Sequence, residues 1–123
     1  MKIYVAHSKQ LNYLENLYRP IREDKELQEH TILLPHEESN DSYNSREFYK
    51  DLSIMIAEVS YPATGMGIEL GWAYDDNVPI YCLFQKNMKV SNSLKSITKN
   101  IIEYENEKDL LNIIKEIIKR ENQ

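Results

Sequence analysis

Glu69 stands among all three glycines of the chain, in Gly65-Met66-Gly67-Ile68-Glu69-Leu70-Gly71. A carboxylate with one exposed face can act as a nucleophile or as a base. The preceding run, Ile54 to Val59, reads as a buried strand, and Leu70 to Asp76 reads as a helix. The glycines therefore mark an expected strand-to-helix turn, where backbone N–H groups can approach a ligand and a helix N-terminus favours negative charge. That reading puts Glu69 in or near the first helical turn, where the dipole supports its ionised form. A glutamate in a first turn is also simply a good helix residue, and Gly67 and Gly71 also suit packing of a helix on a sheet. The spacing G-x-G-x-x-x-G is not the dinucleotide fingerprint, because no acidic residue follows on a strand about 20 residues later.

Other groups fall near the ends of expected strands. Tyr4 lies near the carboxyl end of a first strand, where a phenol can hydrogen-bond a reacting carboxylate or a sugar; a sheet-face tyrosine is the plain alternative in a chain with nine of them. Ser8 and Lys9 open the next loop and can hold an anion. Glu58, inside an otherwise apolar run, needs a partner if it is buried. His36-Glu37-Glu38 reads as a solvated loop. Cys82, in an apolar strand, reads as a small core residue. No histidine or cysteine spacing suits a metal, and no cofactor is implied.

These residues need elements to position them. Lys2 to Ala6 reads as the first strand. Leu11, Leu14, Leu17 and Tyr18 have helical spacing over Gln10 to Tyr18. Pro20 should end or kink that helix, with Ile21 to Gln28 resuming it. Thr31 to Leu34 is a second strand closed by Pro35. Residues 36 to 43 are turn-like, and Ser45 to Asp51 suggests a short helix. Pro79 to Phe84 and Ile101 to Tyr104 give the fourth and fifth strands. Asn106 can cap a last helix with the stripe Leu110, Leu111, Ile113, Ile114, Ile117 and Ile118. Strands alternating with helices predict an α/β fold, a three-layer α/β/α Rossmann-like (flavodoxin-like) arrangement of roughly five parallel strands. Ligands of such sheets bind beyond the carboxyl ends of the strands. Four polar loops should meet there: His7 to Lys9, Pro35 to Glu37, Ser60 to Gly67, and Gln85 to Ser93.

Bulk properties narrow the function. A chain of 123 residues suits one domain, spanning 1–123, with a real core. There is no apolar run long enough to span a bilayer and no signal-peptide pattern at the start. A lone cysteine excludes an internal disulfide. A cytoplasmic protein is expected, with no membrane partner. The net charge of -5 argues against binding a nucleic acid polymer. Yet no acidic residue falls between Asp76 and Glu103, where Lys86, Lys89, Lys95 and Lys99 form a basic segment. It suits a small anion if the fold brings it to the glycines, and is otherwise a solvated loop.

The run Ile56 to Ala73, with its Gly65-x-Gly67-x-Glu69-Leu70-Gly71-x-Ala73 core, resembles the nucleoside 2-deoxyribosyltransferase family. It is especially similar to the branch of 2′-deoxynucleoside 5′-phosphate N-hydrolases. Lys2 to Ala6 resembles the family's first strand, and Val78 to Phe84 its strand after the motif. Residues 10 to 50 match in general architecture only.

The resemblance implies that Glu69 attacks C1′ of a deoxyribose and displaces the base. Water or a second base would then take the sugar from the ester. Tyr4 matches the tyrosine that orients the glutamate. Ser8, Thr64, Gly65 and Gly67 would contact the sugar or its 5′ substituent. Ser91 or Ser93 would bind 5′-phosphate from a neighbouring subunit, so a homodimer or higher homo-oligomer is expected. Trp72 and Tyr74 can supply that contact, or can cover the sheet of a monomer. Three positions depart from the branch. Its phosphate-binding serine falls at Ala63, with Thr64 beside it. Its aspartate falls near Ser45, with Asp41 and Asp51 off register. Its arginine after the first strand is replaced by Lys9 or Gln10. The partner expected is a small nucleoside or nucleotide. A non-catalytic nucleotide-binding module and a ribosyl or NAD glycohydrolase are the alternatives.

Overall fold

The computed structural model describes residues 1–37 and 49–123. Among the described residues there are five strands: β1 (Lys2–His7), β2 (Thr31–Leu33), β3 (Ile54–Glu58), β4 (Ile80–Gln85) and β5 (Ile101–Tyr104). They form one parallel sheet in the order β2-β1-β3-β4-β5. The helices are α1 (Arg19–Glu23), α2 (Thr64–Asp75) and α3 (Glu107–Glu121). The architecture is the expected three-layer Rossmann-like one. Every residue of β3 is buried, as a central parallel strand requires, while the edge strands β2 and β5 are short.

Alternation along β1 divides the core in two. Ile3 and Val5 face α1 and α3, joining Leu17, Ile21, Leu110, Ile114 and Ile117. Tyr4 and Ala6 face the other way, joining Tyr49, Met55, Met66, Leu70 and Ala73. Helix α2 lies across β1, β3 and β4 on that second face. Helix α3 begins where its sequence predicts: Asn106 accepts a hydrogen bond from the Asp109 N–H (2.9 Å), and Asp109 accepts one from the Glu105 N–H (2.8 Å).

Two elements differ from expectation. Pro20 does not end a helix. The chain first makes a π-type turn over Leu14–Tyr18, with the Arg19 N–H bonded to the Leu14 carbonyl. Pro20 then sits in the first turn of α1, which continues directly from the π-type turn. The glycines form no turn either. Helix α2 starts at Thr64, so Gly65, Gly67 and Gly71 are all helical and none has positive φ. Left-handed backbone goes instead to Asp51, Asn77 and Asn87. At Asn77 (φ 60°) it closes α2, with the Val78 N–H on the Ala73 carbonyl and the Asn77 N–H on the Tyr74 carbonyl.

Among the described residues the helical glycines are not packing devices, because a Cβ added at any of them meets nothing within 4 Å. Glycine inside a helix costs about 0.5–1 kcal/mol relative to alanine. Gly71→Ala should therefore raise the unfolding free energy by about that amount in urea denaturation. A loss of stability would contradict the open space at this position.

Candidate functional site

Glu69 is the sixth residue of α2, and no acidic residue lies in the first turn. This corrects the expectation of a carboxylate beside the helix N-terminus. Starting the helix at Thr64 moves Glu69 one turn inward, over the sheet and beside β1. There the Tyr4 hydroxyl donates to Glu69 Oε2 at 2.5 Å. The Tyr49 hydroxyl also reaches Oε2, and the two phenol oxygens are 3.0 Å apart. The Tyr49 ring lies between Tyr4 (centroids 4.7 Å apart) and Trp72 (5.1 Å). Tyr4 is wholly buried in mid-strand rather than at the strand's end, and Tyr49 is nearly so.

Burial dominates the electrostatics. It pushes the Glu69 carboxyl above the usual carboxylate range, and the hydrogen bonds from Tyr4 and Tyr49 pull back. Both phenols are pushed well up, first by burial and then by the neighbouring carboxylate, so they stay protonated donors. Among the described residues Oε1 accepts no hydrogen bond. One turn before Glu69, Gly65 leaves open space on the same flank of the helix. The result is a half-buried carboxylate with one oxygen held and the other without a hydrogen bond among the described residues.

The remaining candidates divide between the flanks of α2. Residues two apart on a helix point about 200° apart. Gly67 therefore faces away from Glu69. On its side Ala63, Gly67, Lys89, Ser91 and Ser93 line a cavity of about 440 Å³. The basic segment does reach the glycines, but on this far flank. Of its lysines, Lys89 lines the cavity and Lys86 pairs with Glu105 at 3.1 Å. Ser91 caps a short turn, accepting from the Ser93 N–H at 3.2 Å. Ala63 is the N-cap of α2 and supplies no side-chain bond, and Thr64 beside it is exposed. Ser8 is buried and accepts from the Gln10 N–H (3.1 Å), which shapes the loop after β1; Lys9 is exposed. Asp51 is an exposed turn residue, and Asp41 and Ser45 lie outside the described residues.

Two further groups take structural places. Glu58 finds the partners it needs in the Ser60 N–H, the Ser60 hydroxyl (both 2.8 Å) and the Tyr104 hydroxyl. Ser60 Oγ also accepts from the Gln85 N–H, which ties together the ends of β3 and β4. Burial pushes the Cys82 thiol up to about 11, leaving it an inert core group. Tyr49 was missed in the sequence, because nothing in its spacing separates it from the other tyrosines. Trp72 packs on it rather than standing free on the surface, whereas Tyr74 and Ile68 are exposed.

No protein-family model matches the chain, and comparison with curated proteins finds no match.

The raised carboxyl of Glu69 has a sign that can be tested. A group whose folded pKa is raised stabilises the fold fully below its unfolded pKa, and that contribution is lost as pH rises through the folded value. Glu69→Gln keeps an oxygen for the phenols and removes the titration. Its melting temperature should match the wild type in acid and exceed it progressively toward neutral pH. A Tm difference that does not vary with pH would contradict burial as the dominant influence.

Proposed function

We propose that the protein cleaves or transfers the N-glycosidic bond of a 2′-deoxyribonucleoside or its 5′-monophosphate, through a glycosyl ester on Glu69. The supporting observation is the carboxylate held through Oε2 by two phenols, with Oε1 free of hydrogen bonds among the described residues. Oε1 forms a bond to C1′ while the C1′–N bond breaks, and its electron pair leaves with the base. Negative charge beside C1′ stabilises the oxocarbenium-like transition state. Water, or a second base, then bonds to C1′ and returns the C1′–O pair to Glu69. A nucleophilic carboxylate divides one hard displacement into two easier ones.

The resemblance around Glu69 supports a deoxyribosyl substrate. The first N–H groups of α2, with no side-chain cap at Ala63, suit a 5′-phosphate beside Thr64 and Gly65. Ser91 and Ser93 stand on the flank away from their own Glu69. From there they would serve a nucleotide held by a second copy, so a homodimer or higher homo-oligomer belongs to the same reading. Buried Cys82 and the net charge of -5 suit a cytoplasmic protein acting on small molecules.

The test is release of free base from a panel of deoxynucleosides and their 5′-monophosphates, with ribonucleosides and NAD as competitors. Glu69→Ala should reduce turnover by about a thousandfold or more, as loss of a nucleophile does, while ligand binding persists. Binding without base release from any member, with or without an acceptor base, would make this a ligand-binding module.

A further inference from the structure

Two phenols on one carboxylate oxygen exceed what orienting a side chain requires. Tyr4, fixed on β1 and wholly buried, already anchors Oε2 at 2.5 Å. Tyr49 brings a second donor from a separate segment. That segment is tied to the start of β1: the Lys2 amine donates to the Lys50 carbonyl (2.9 Å), and the Lys2 N–H to the Ser53 hydroxyl (3.1 Å). The Tyr49 ring is held between Tyr4 and Trp72, which keeps the Tyr49 oxygen beside Glu69 Oε2 and within hydrogen-bond distance of the Tyr4 hydroxyl (3.0 Å).

We propose that Tyr49 is a positioning residue that makes Glu69 a good leaving group in the second half of the reaction, by holding Oε2 together with Tyr4 while Oε1 bonds to C1′. This rests on the reading of Glu69 as the nucleophile.

The chemistry is asymmetric between the two steps. Hydrogen bonds to an ionised carboxylate are stronger than those to a neutral carbonyl. When Oε1 bonds to C1′ and the base departs with its electron pair, the carboxylate charge disappears and Oε2 becomes an ester carbonyl. Both phenol bonds then weaken. When water bonds to C1′ and loses its proton to solvent, the C1′–Oε1 pair returns to Glu69. The charge reappears and both bonds regain strength. The clamp thus opposes accumulation of the ester and favours its breakdown. It also opposes the effect of burial on Glu69, for which the opposing groups are Tyr4 from β1 and Tyr49. On the flank of α2 itself the neighbours are Gly65 and Trp72, neither of which titrates.

Tyr49→Phe tests this, because it keeps the ring and removes one hydroxyl. Trp72 is the chain's single tryptophan, so an unchanged emission spectrum verifies that the ring still packs. With an active deoxynucleotide, the rate of ester breakdown should fall about ten- to a hundredfold, the effect of one hydrogen bond to a charged group, and kcat should fall by a smaller factor as breakdown becomes the slow step. KM should fall with it, leaving kcat/KM nearly unchanged. Intact-mass measurement after rapid quenching should find most of the variant carrying one deoxyribosyl group, against a minor fraction of the wild type. Without substrate, the infrared carboxyl band of Glu69, with Glu69→Gln as blank, should titrate at higher pH in Tyr49→Phe. A fluorinated tyrosine at position 49, a stronger donor of the same shape, should shift that titration down and shorten the ester's lifetime. It serves equally if Tyr49→Phe fails to fold.

Unchanged kcat, ester level and carboxyl titration in a folded variant would overturn the role of Tyr49. Absence of base release by the wild type would overturn the reading of Glu69 as a nucleophile, and with it the second-step role. The infrared titration would then still decide whether Tyr49 holds the carboxylate.

Discussion

A carboxylate taken partly out of water has to be held, and the arrangement around Glu69 follows from that requirement. Desolvating a charge is costly unless donors replace the lost water. Here the donors are Tyr4 and Tyr49. Tyr4 reaches up from the second face of β1, the face that α2 covers with Met66, Leu70 and Ala73. Tyr49 must arrive beside it, and Lys2 and Ser53 tether its segment to the start of the same strand. Trp72, one turn beyond Glu69, closes the packing around Tyr49. Tyr4 and Tyr49, which hold the carboxylate, belong to the same apolar cluster as Met66, Leu70 and Ala73, which seat the helix on the sheet.

This setting gives α2 two unlike flanks. One carries Gly65, Glu69 and Trp72. The other carries Gly67 and faces the cavity under Lys89, Ser91 and Ser93. Three glycines in twelve helical residues weaken the helix, and nothing within the described chain fills the space they leave. Gly65 stands one turn before Glu69, whose Oε1 accepts no hydrogen bond among the described residues.

Much of the architecture was legible in the sequence. The apolar runs of β3, β4 and β5 have no competing helical period, and α3 carries an unbroken stripe with a polar cap at Asn106. Both are local signals. The start of α2 was not legible, because three glycines read as a turn while the tertiary contacts of Met66, Leu70 and Ala73 override their poor helix propensity. The π-type turn that seats Pro20 in α1 depends on a hydrogen-bond register that no composition encodes. Glu69 and Tyr4 could be singled out because they sit on recognisable elements. Tyr49 could not, since its role depends on a contact across 20 residues of chain. The division of Gly67, Ser91 and Ser93 from Glu69 follows from helix phase, and it became readable once the first residue of α2 was known.

On the proposed function Glu69 forms a covalent bond to C1′, so the reaction would proceed by two displacements. Stereochemistry tests this directly. The protein would be given a β-2′-deoxynucleotide in water containing methanol, and the methyl deoxyriboside followed by proton NMR as it forms. Two displacements predict the β-anomer, with net retention. The α-anomer, or a mixture at the earliest times, would mean direct attack by solvent and would contradict a glycosyl ester on Glu69.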